Sequence, residues 1–519
     1  MKNASDLPDA WPFVEASRVV ARMAKLNKSE AVFETGFGPS GMPHVGTFAE
    51  VVRTSWVRNA FKEISDIPTR LISYSDDMDG MRRVPQNVPN QERTARYLGM
   101  PLCRIPDPYG QYESLSAHAE ARLRAMLDDL GLDYEFKKAS DSYRDGLLDQ
   151  AMLAVLAHHQ EIVNVVTPTL GAERSSHWSP FMPIHPINGQ VMQVGITPNP
   201  DAKTVIWQDH DGKSYETSVL GGACKLQWKA DWAARWLALG VDYEMCGKDL
   251  LDSVKLSSKI VRILGGLPPE NMIYEMFLDK NGQKFSKSKG NAFGVEDWLR
   301  YGPSEALSHV FFRKPGTAKA LKLDDIPRNI DEWLGDIKAS RSQDGNILRQ
   351  NPAWHVHNAK MPNSPEVSYA LLVNVASASE VKTGAELASI IGITAKEPVM
   401  DRFLDYVVNF CHDVVSPNRV FHEPVGFERD ALLELVEELK AFDDTSEAEA
   451  IQARVYEVGK HYPFANLRDW FSLLYRSLLG VESGPRFGNF VALRGVQETI
   501  TMITDTLNRS PVEETYLGR

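Results

Sequence analysis

Two stretches of this sequence carry side chains whose types and spacing suit phosphate chemistry. The first, AVFETGFGPSGMPHVGTFAEVV from Ala31 to Val52, sets Gly36, Gly38 and Gly41 as G-x-G-x-x-G ahead of His44. A glycine turn that opens a helix offers unpaired backbone N–H groups and a favourable dipole to an anion. That serves the pyrophosphate of a dinucleotide and the phosphates of ATP equally, so the spacing alone leaves both open. Pro39 withdraws one donor from the cradle. His44 is either a neutral donor to a phosphate oxygen or a plain capping residue. The second stretch, DKNGQKFSKSKGN at residues 279–291, sets Lys284, Lys287 and Lys289 among Ser286 and Ser288 between two glycines. Ammonium and hydroxyl groups on one loop can close over a triphosphate and stabilise charge on departing pyrophosphate. A solvated basic loop is the bland alternative.

The elements that would position these groups can be read from periodicity. Residues 31–33 are an apolar run stopped by glycines, as in a buried strand. Val45, Phe48, Val52, Trp56, Ala60, Phe61 and Ile64 recur at helical spacing, Pro68 closes the helix, and RLISYS reads as a second strand ending in Asp76 and Asp77. Together they form a βαβ unit. A second set follows later: VDYEM as strand, LLDSVKLSSKIVRIL as helix, MIYEMFL as strand. Two such halves around an insertion predict a doubly wound, Rossmann-type parallel sheet, with ligands at the carboxyl ends of its strands. From about Ile326 leucine-rich helical patterns such as ERDALLELVEELKAF take over. The expected domains are residues 1–165 and 227–325 as the two catalytic halves, 166–226 as the insertion, and 326–519 as an all-α domain.

Composition limits the classes of function. The chain has 519 residues, 43% hydrophobic and 24% charged, which suits a multidomain globular protein. The start MKNASDLPDAWPF lacks a basic and apolar leader, and no apolar run is long enough to span a bilayer, so a cytoplasmic protein without membrane contact is expected. Four scattered cysteines form no Cys-x-x-Cys pair. A net charge of −12 argues against indiscriminate nucleic-acid binding but leaves room for a specific RNA on a local basic surface.

Taken together, Pro43-His44-Val45-Gly46-Thr47 is similar to the HIGH signature of class I aminoacyl-tRNA synthetases, and Lys284-Phe285-Ser286-Lys287-Ser288 to their KMSKS signature. Val45, Thr47 and Phe285 depart from the patterns. The second histidine is absent, so Thr47 is left to supply a hydroxyl in its place. DDMDGMRRVPQNVP, SSHWSPFMPI, KLQWKADWAARW, GKDLLDS and LLGVESGPRFGNFVALRG further resemble the class I lysyl-tRNA synthetases, in the right order, from about Ala31 to Leu493. The glutamyl and glutaminyl relatives share a DW-x-x-RW-like segment but not the aspartate-rich stretch or the late Gly-Pro-Arg. Leu250 stands where relatives often carry histidine.

The resemblance implies an acceptor-stem insertion, an anticodon-binding helical domain, and ATP-driven charging of tRNA(Lys) with L-lysine. It implies an ATP site at Gly36, Gly38, Pro39, His44, Gly46, Thr47, Lys284, Ser286, Lys287 and Ser288. His44, Thr47, Lys284 and Lys287 would be catalytic, with Mg²⁺ accompanying ATP. For lysine, Gly36 lets the backbone approach, and Trp228 and Tyr274 are candidate pocket walls, although core packing explains Trp228 equally well. The ammonium needs a carboxylate. Glu34, at a strand end, is placed ahead of Asp231, but an arginine pair for Glu34 or a capping role for Asp231 are the structural alternatives. Some relatives hold zinc in the insertion through cysteines; here the turns read HPINGQ and WQDHDGKSYE, and no zinc is expected. Another class I synthetase, a small adenylyltransferase and an inactive paralogue are the rival readings. The oligomeric state is open, with a monomer favoured.

Overall fold

The computed structural model describes residues 7–85, 88–278, 294–363, 365–379, 381–393 and 398–508. Its centre is a five-stranded parallel sheet of β1 (Ala31–Phe37), β2 (Thr69–Ser75), β3 (Glu135–Lys138), β9 (Tyr243–Gly247) and β10 (Glu270–Tyr274). Their spatial order, β10-β9-β1-β2-β3, is that of a doubly wound sheet whose direction reverses at β1 and β9. The expected fold class is therefore present. β1 is longer than the apolar run suggested, because Glu34 and Thr35 continue it into the core.

The chain from β1 enters a helix at Val45–Ile64, which buries Phe48, Val52, Trp56, Ala60 and Phe61 at the spacing seen in the sequence. Asp242, just before β9, fixes the N-terminal helix Trp11–Leu26 to the sheet. Fully buried, it receives Arg22 Nε at 3.0 Å, Lys28 Nζ at 2.6 Å and the backbone N–H of Val32 at 3.1 Å. Losing either partner would strand a buried charge.

Between the halves of the sheet lie five short strands: β4 (Phe181–Pro183), β5 (Ile196–Asn199), β6 (Thr204–Gln208), β7 (Ser214–Ser218) and β8 (Cys224–Leu226). β4 pairs with β8, and β5-β6-β7 form an antiparallel sheet. Two compact units partition the chain: residues 1–295, 308–321 and 340–361, and residues 296–307, 322–339 and 362–519. The second unit is built of helices. In it Gly459 lets the helix Ala448–Lys460 close on the Trp470 indole, whose Nε1 donates to Val455 at 2.9 Å. Among the described residues no helix is long and apolar enough to cross a membrane.

Candidate functional site

At the carboxyl end of β1 the glycines meet different needs. A Cβ on Gly36 would come within 2.9 Å of Arg235 Nη2, whereas one on Gly38 would meet nothing within 4 Å. Gly36 is required by the packing beneath it; Gly38 leaves an opening above. Pro39 is buried under the turn.

His44 caps the following helix. Its Nδ1 accepts from the backbone N–H of Gly46 at 3.0 Å and of Thr47 at 3.4 Å. An accepting Nδ1 puts the ring proton of the neutral imidazole on Nε2, making that nitrogen a donor. Capping and phosphate donation, alternatives in the sequence, are compatible through the ring's two nitrogens. Gly46 makes room for the ring, since a Cβ there would lie 2.8 Å from His44 Cε1. Lys284, Ser286, Lys287 and Ser288 lie outside the described residues.

Behind the turn a single fully buried arginine gathers four carboxylates. Arg235 Nε lies 2.5 Å from Glu34 and Nη1 lies 2.7 Å from Asp76, with Asp231 at 3.9 Å and Glu244 at 3.8 Å. Its guanidinium also stacks over Tyr74, 4.5 Å from the ring centre. Glu244 is held by both Trp232 and Trp236, and Asp231 by the hydroxyl of Tyr143. Burial pushes all four carboxyls upward, Asp76 to about 8. Even with the buried Lys225 ammonium acting on Asp231 and Asp76, burial of four carboxyls around one guanidinium favours their protonated forms. Glu34 is wholly buried and faces the arginine. Asp231 sits in the first turn of the helix Trp228–Leu239, whose cap is Gln227 rather than an aspartate.

A different carboxylate, which the sequence reading did not single out, stands at the strand ends. Glu50 extends from the Val45–Ile64 helix and accepts the Tyr274 hydroxyl at 2.5 Å and the backbone N–H of Gly36. Among the described residues it makes no ion pair. Burial raises it to about 8, against the downward pull of those two hydrogen bonds. Its signal was position: six residues beyond His44, it lies on the turn of helix that returns toward β1. Trp228 stacks on Trp232 with ring centres 4.9 Å apart and lines an adjoining cleft, so it serves both packing and wall. Leu250 is half-buried against the core.

The insertion's polar turns are self-contained. His185 Nδ1 accepts from Ile187 N at 3.1 Å and Asn188 N at 3.3 Å, and its Nε2 lies 3.6 Å from Asp209. Asp209 in turn accepts from Asp211 N and Lys213 N, and His210 points into solvent. The imidazole packs between Trp207 and Tyr215.

A family model and the named relatives of high coverage agree on one family. The model described as "tRNA synthetases class I (K)" matches residues 9–360. A protein named lysine–tRNA ligase from Roseobacter denitrificans is 45% identical over 516 residues, covering 98% of each chain. Another of that name from Rickettsia felis is 41% identical over 511 residues, covering 96% of this chain and 97% of its own. A solved glutamate tRNA ligase from Elizabethkingia meningosepticum aligns at TM-score 0.40 and 12% identity, over 92% of this chain and 99% of that one.

Proposed function

The chain belongs to the class I lysyl-tRNA synthetases, and from that premise we infer that it joins L-lysine to tRNA(Lys) in an ATP-driven reaction. Near-complete coverage of proteins named lysine–tRNA ligase, at 41–45% identity, carries the reading. The lysine carboxylate attacks the α-phosphate, lysyl-adenylate forms and pyrophosphate leaves. A terminal ribose hydroxyl of the tRNA then takes the lysyl group and AMP departs. The first step needs positioning and charge stabilisation rather than covalent help.

In this scheme His44 Nε2–H and the Thr47 hydroxyl donate to phosphate oxygens, and the backbone at Gly36, Gly38, Pro39 and Gly46 lies against the nucleotide. Lys284 and Lys287, with Ser286 and Ser288, clamp the pyrophosphate. Mg²⁺ travels with ATP, held mainly by phosphates and water. Zinc has no part. The lysine ammonium pairs with Glu50, assisted by Tyr274 and walled by Trp228. This departs from Glu34 and Asp231, because both face Arg235 while Glu50 makes no ion pair among the described residues. The helical unit supplies the anticodon contacts, and the protein works in the cytoplasm as a monomer.

Charging of total tRNA, measured with each amino acid in turn, tests the reading. Lysine alone should be accepted. Charging with glutamate or glutamine instead, or with nothing, would overturn it.

A further inference from the structure

Two buried guanidiniums stand close to Glu50 and Tyr274, and they are paired differently. Arg235 is surrounded by carboxylates. Arg53, only 1% exposed, makes no ion pair among the described residues. Its Nε donates to the carbonyl of Phe311 at 3.1 Å, and its Nη1 is enclosed without a hydrogen-bond partner. Burial lowers this guanidinium to about 10, against the upward pull of Tyr274 and Glu50. Taking a cation out of water without a carboxylate against it is costly, so stability does not account for Arg53.

Its surroundings are aromatic. Cζ lies 5.2 Å from the ring centre of Tyr274 and 5.2 Å from that of Phe277. A planar cation gains from each ring, most where water is excluded. The contacts on one side are anchored from behind. Phe277 packs edge-on against Phe311, with ring centres 5.2 Å apart, and its strand Phe277–Leu278 pairs with Lys319–Ala320. Phe311 also packs against Phe48, on the same helix as Arg53. The contact on the other side is Tyr274, whose hydroxyl reaches Glu50 at 2.5 Å. Glu50 and Arg53 are three residues apart and share one face of the Val45–Ile64 helix. The guanidinium thus passes a fixed position from Phe311 and Phe277 on to the tyrosine ring.

We propose that Arg53 is a positioning residue for lysine selection: lodged against Phe277 and Tyr274, it holds the phenol so that its hydroxyl meets Glu50, and it touches no substrate itself. The assignment rests on the reading of Glu50 as the ammonium acceptor. A released ring would leave the Glu50 carboxylate free to follow a shorter side chain, so the same device sharpens the choice of lysine over ornithine.

The test is steady-state charging of tRNA(Lys) by the full chain, with lysine, ornithine and ATP varied separately and Tm measured alongside. Arg53→Met removes the charge and keeps much of the bulk. It should raise the lysine KM at least about tenfold, leave the ATP KM within about twofold, and hold or raise Tm, because an unpaired buried charge is gone. The preference for lysine over ornithine should shrink at least about threefold. Arg53→Lys should not restore the lysine KM, since an ammonium lacks the planar fork that both stacks and reaches Phe311. Tyr274→Phe already removes the held hydroxyl, so adding Arg53→Met to it should cost less than about twofold more. Should Arg53→Met fail to fold, Phe277→Leu loosens the same guanidinium from behind and should raise the lysine KM at least about threefold with ATP unchanged. An unchanged lysine KM, lysine and ATP KM rising together with a fall in Tm, full recovery in Arg53→Lys, or additive losses with Tyr274→Phe would each overturn the assignment. Glu50→Gln, measured in parallel, separates the two readings. An unaffected lysine KM there would remove Glu50 as the acceptor, whereas a severe loss there beside a normal Arg53→Met enzyme would remove Arg53 alone.

Discussion

Tyr274 donates its hydroxyl to the carboxylate of Glu50 at 2.5 Å, joining the end of the last sheet strand to the helix that leaves the glycine turn. The bond spans both halves of the sheet, so the proposed ammonium acceptor is set only when the two halves are assembled. Arg53 stands over the same tyrosine ring, 5.2 Å from its centre, and limits how the ring can turn.

Glu50→Gln should therefore abolish most lysine use while sparing ATP. Removing one member of a buried charge pair typically costs about 3–5 kcal/mol, so kcat/KM for lysine should fall at least about a hundredfold. Glu34→Gln should act differently: it breaks the Arg235 pair, and the loss should appear first in Tm. An unchanged lysine KM in Glu50→Gln, with severe loss in Asp231→Asn, would return the ammonium to the DW-x-x-RW segment.

The pH dependence of lysine binding follows from the same carboxyl. Burial raises Glu50 from 4.5 to about 8 in the unliganded protein, so at neutral pH the group is mostly protonated. On the proposed assignment, lysine binds the ionised form and expels the proton. Apparent affinity should rise about tenfold per pH unit up to about 8 and then level off. Stability runs the other way: the folded value lies above the unfolded one, so this group's contribution is complete below 4.5 and is lost as pH rises through 8. Calorimetry in buffers of different ionisation heat should detect the released proton. In Glu50→Gln both the slope and the proton should vanish.

The fold was largely legible because its signals are local. Glycines at 36 and 38, the helical spacing from Val45 to Ile64 and the leucine pattern around Leu432 and Leu435 each dictate an element without long-range help. The proposed amino-acid pocket was less legible, because the charge pairing around it is made across the sheet. Nothing near Glu34 in the chain announces that Arg235, two hundred residues on, will occupy it, and nothing near Glu50 announces Tyr274. His44 was read as either a cap or a phosphate donor; the structure shows the cap through Nδ1, which leaves Nε2 for the proposed donation.

Lys284→Ala and Lys287→Ala should each slow adenylate formation with little change in Tm. Loss of one preorganised transition-state donor typically costs about 2.7–4 kcal/mol, or roughly a hundredfold to a thousandfold in rate. Single-turnover measurement of lysyl-adenylate is the readout, and unchanged rates in both variants would retire the clamp.

The insertion should keep its shape without metal. His185 uses Nδ1 to receive two backbone N–H groups and turns Nε2 toward Asp209, so these two candidate ligands already have structural partners. Elemental analysis should find no stoichiometric zinc, and chelator should leave both Tm and charging unchanged. One zinc per chain with unfolding on its removal would reverse that assignment.

Gly46→Ala should separate stability from catalysis. Alanine at this helical position gains up to about 1 kcal/mol in propensity, but its Cβ would meet His44 Cε1 at 2.8 Å and Nδ1 at 3.0 Å and push the ring away. The displaced ring takes its cap with it, at about 1 kcal/mol. The two effects nearly cancel, so denaturant unfolding should shift by less than about 1 kcal/mol. Adenylate formation should nevertheless fall steeply, because Nε2–H no longer points where charge builds on the phosphate. His44→Ala should match that kinetic loss, and the double variant should be no slower than either single one, since both remove the same donor. If Gly46→Ala kept full activity, His44 would be a cap and nothing more, and the phosphate contacts would have to come from Thr47 and the two lysines alone.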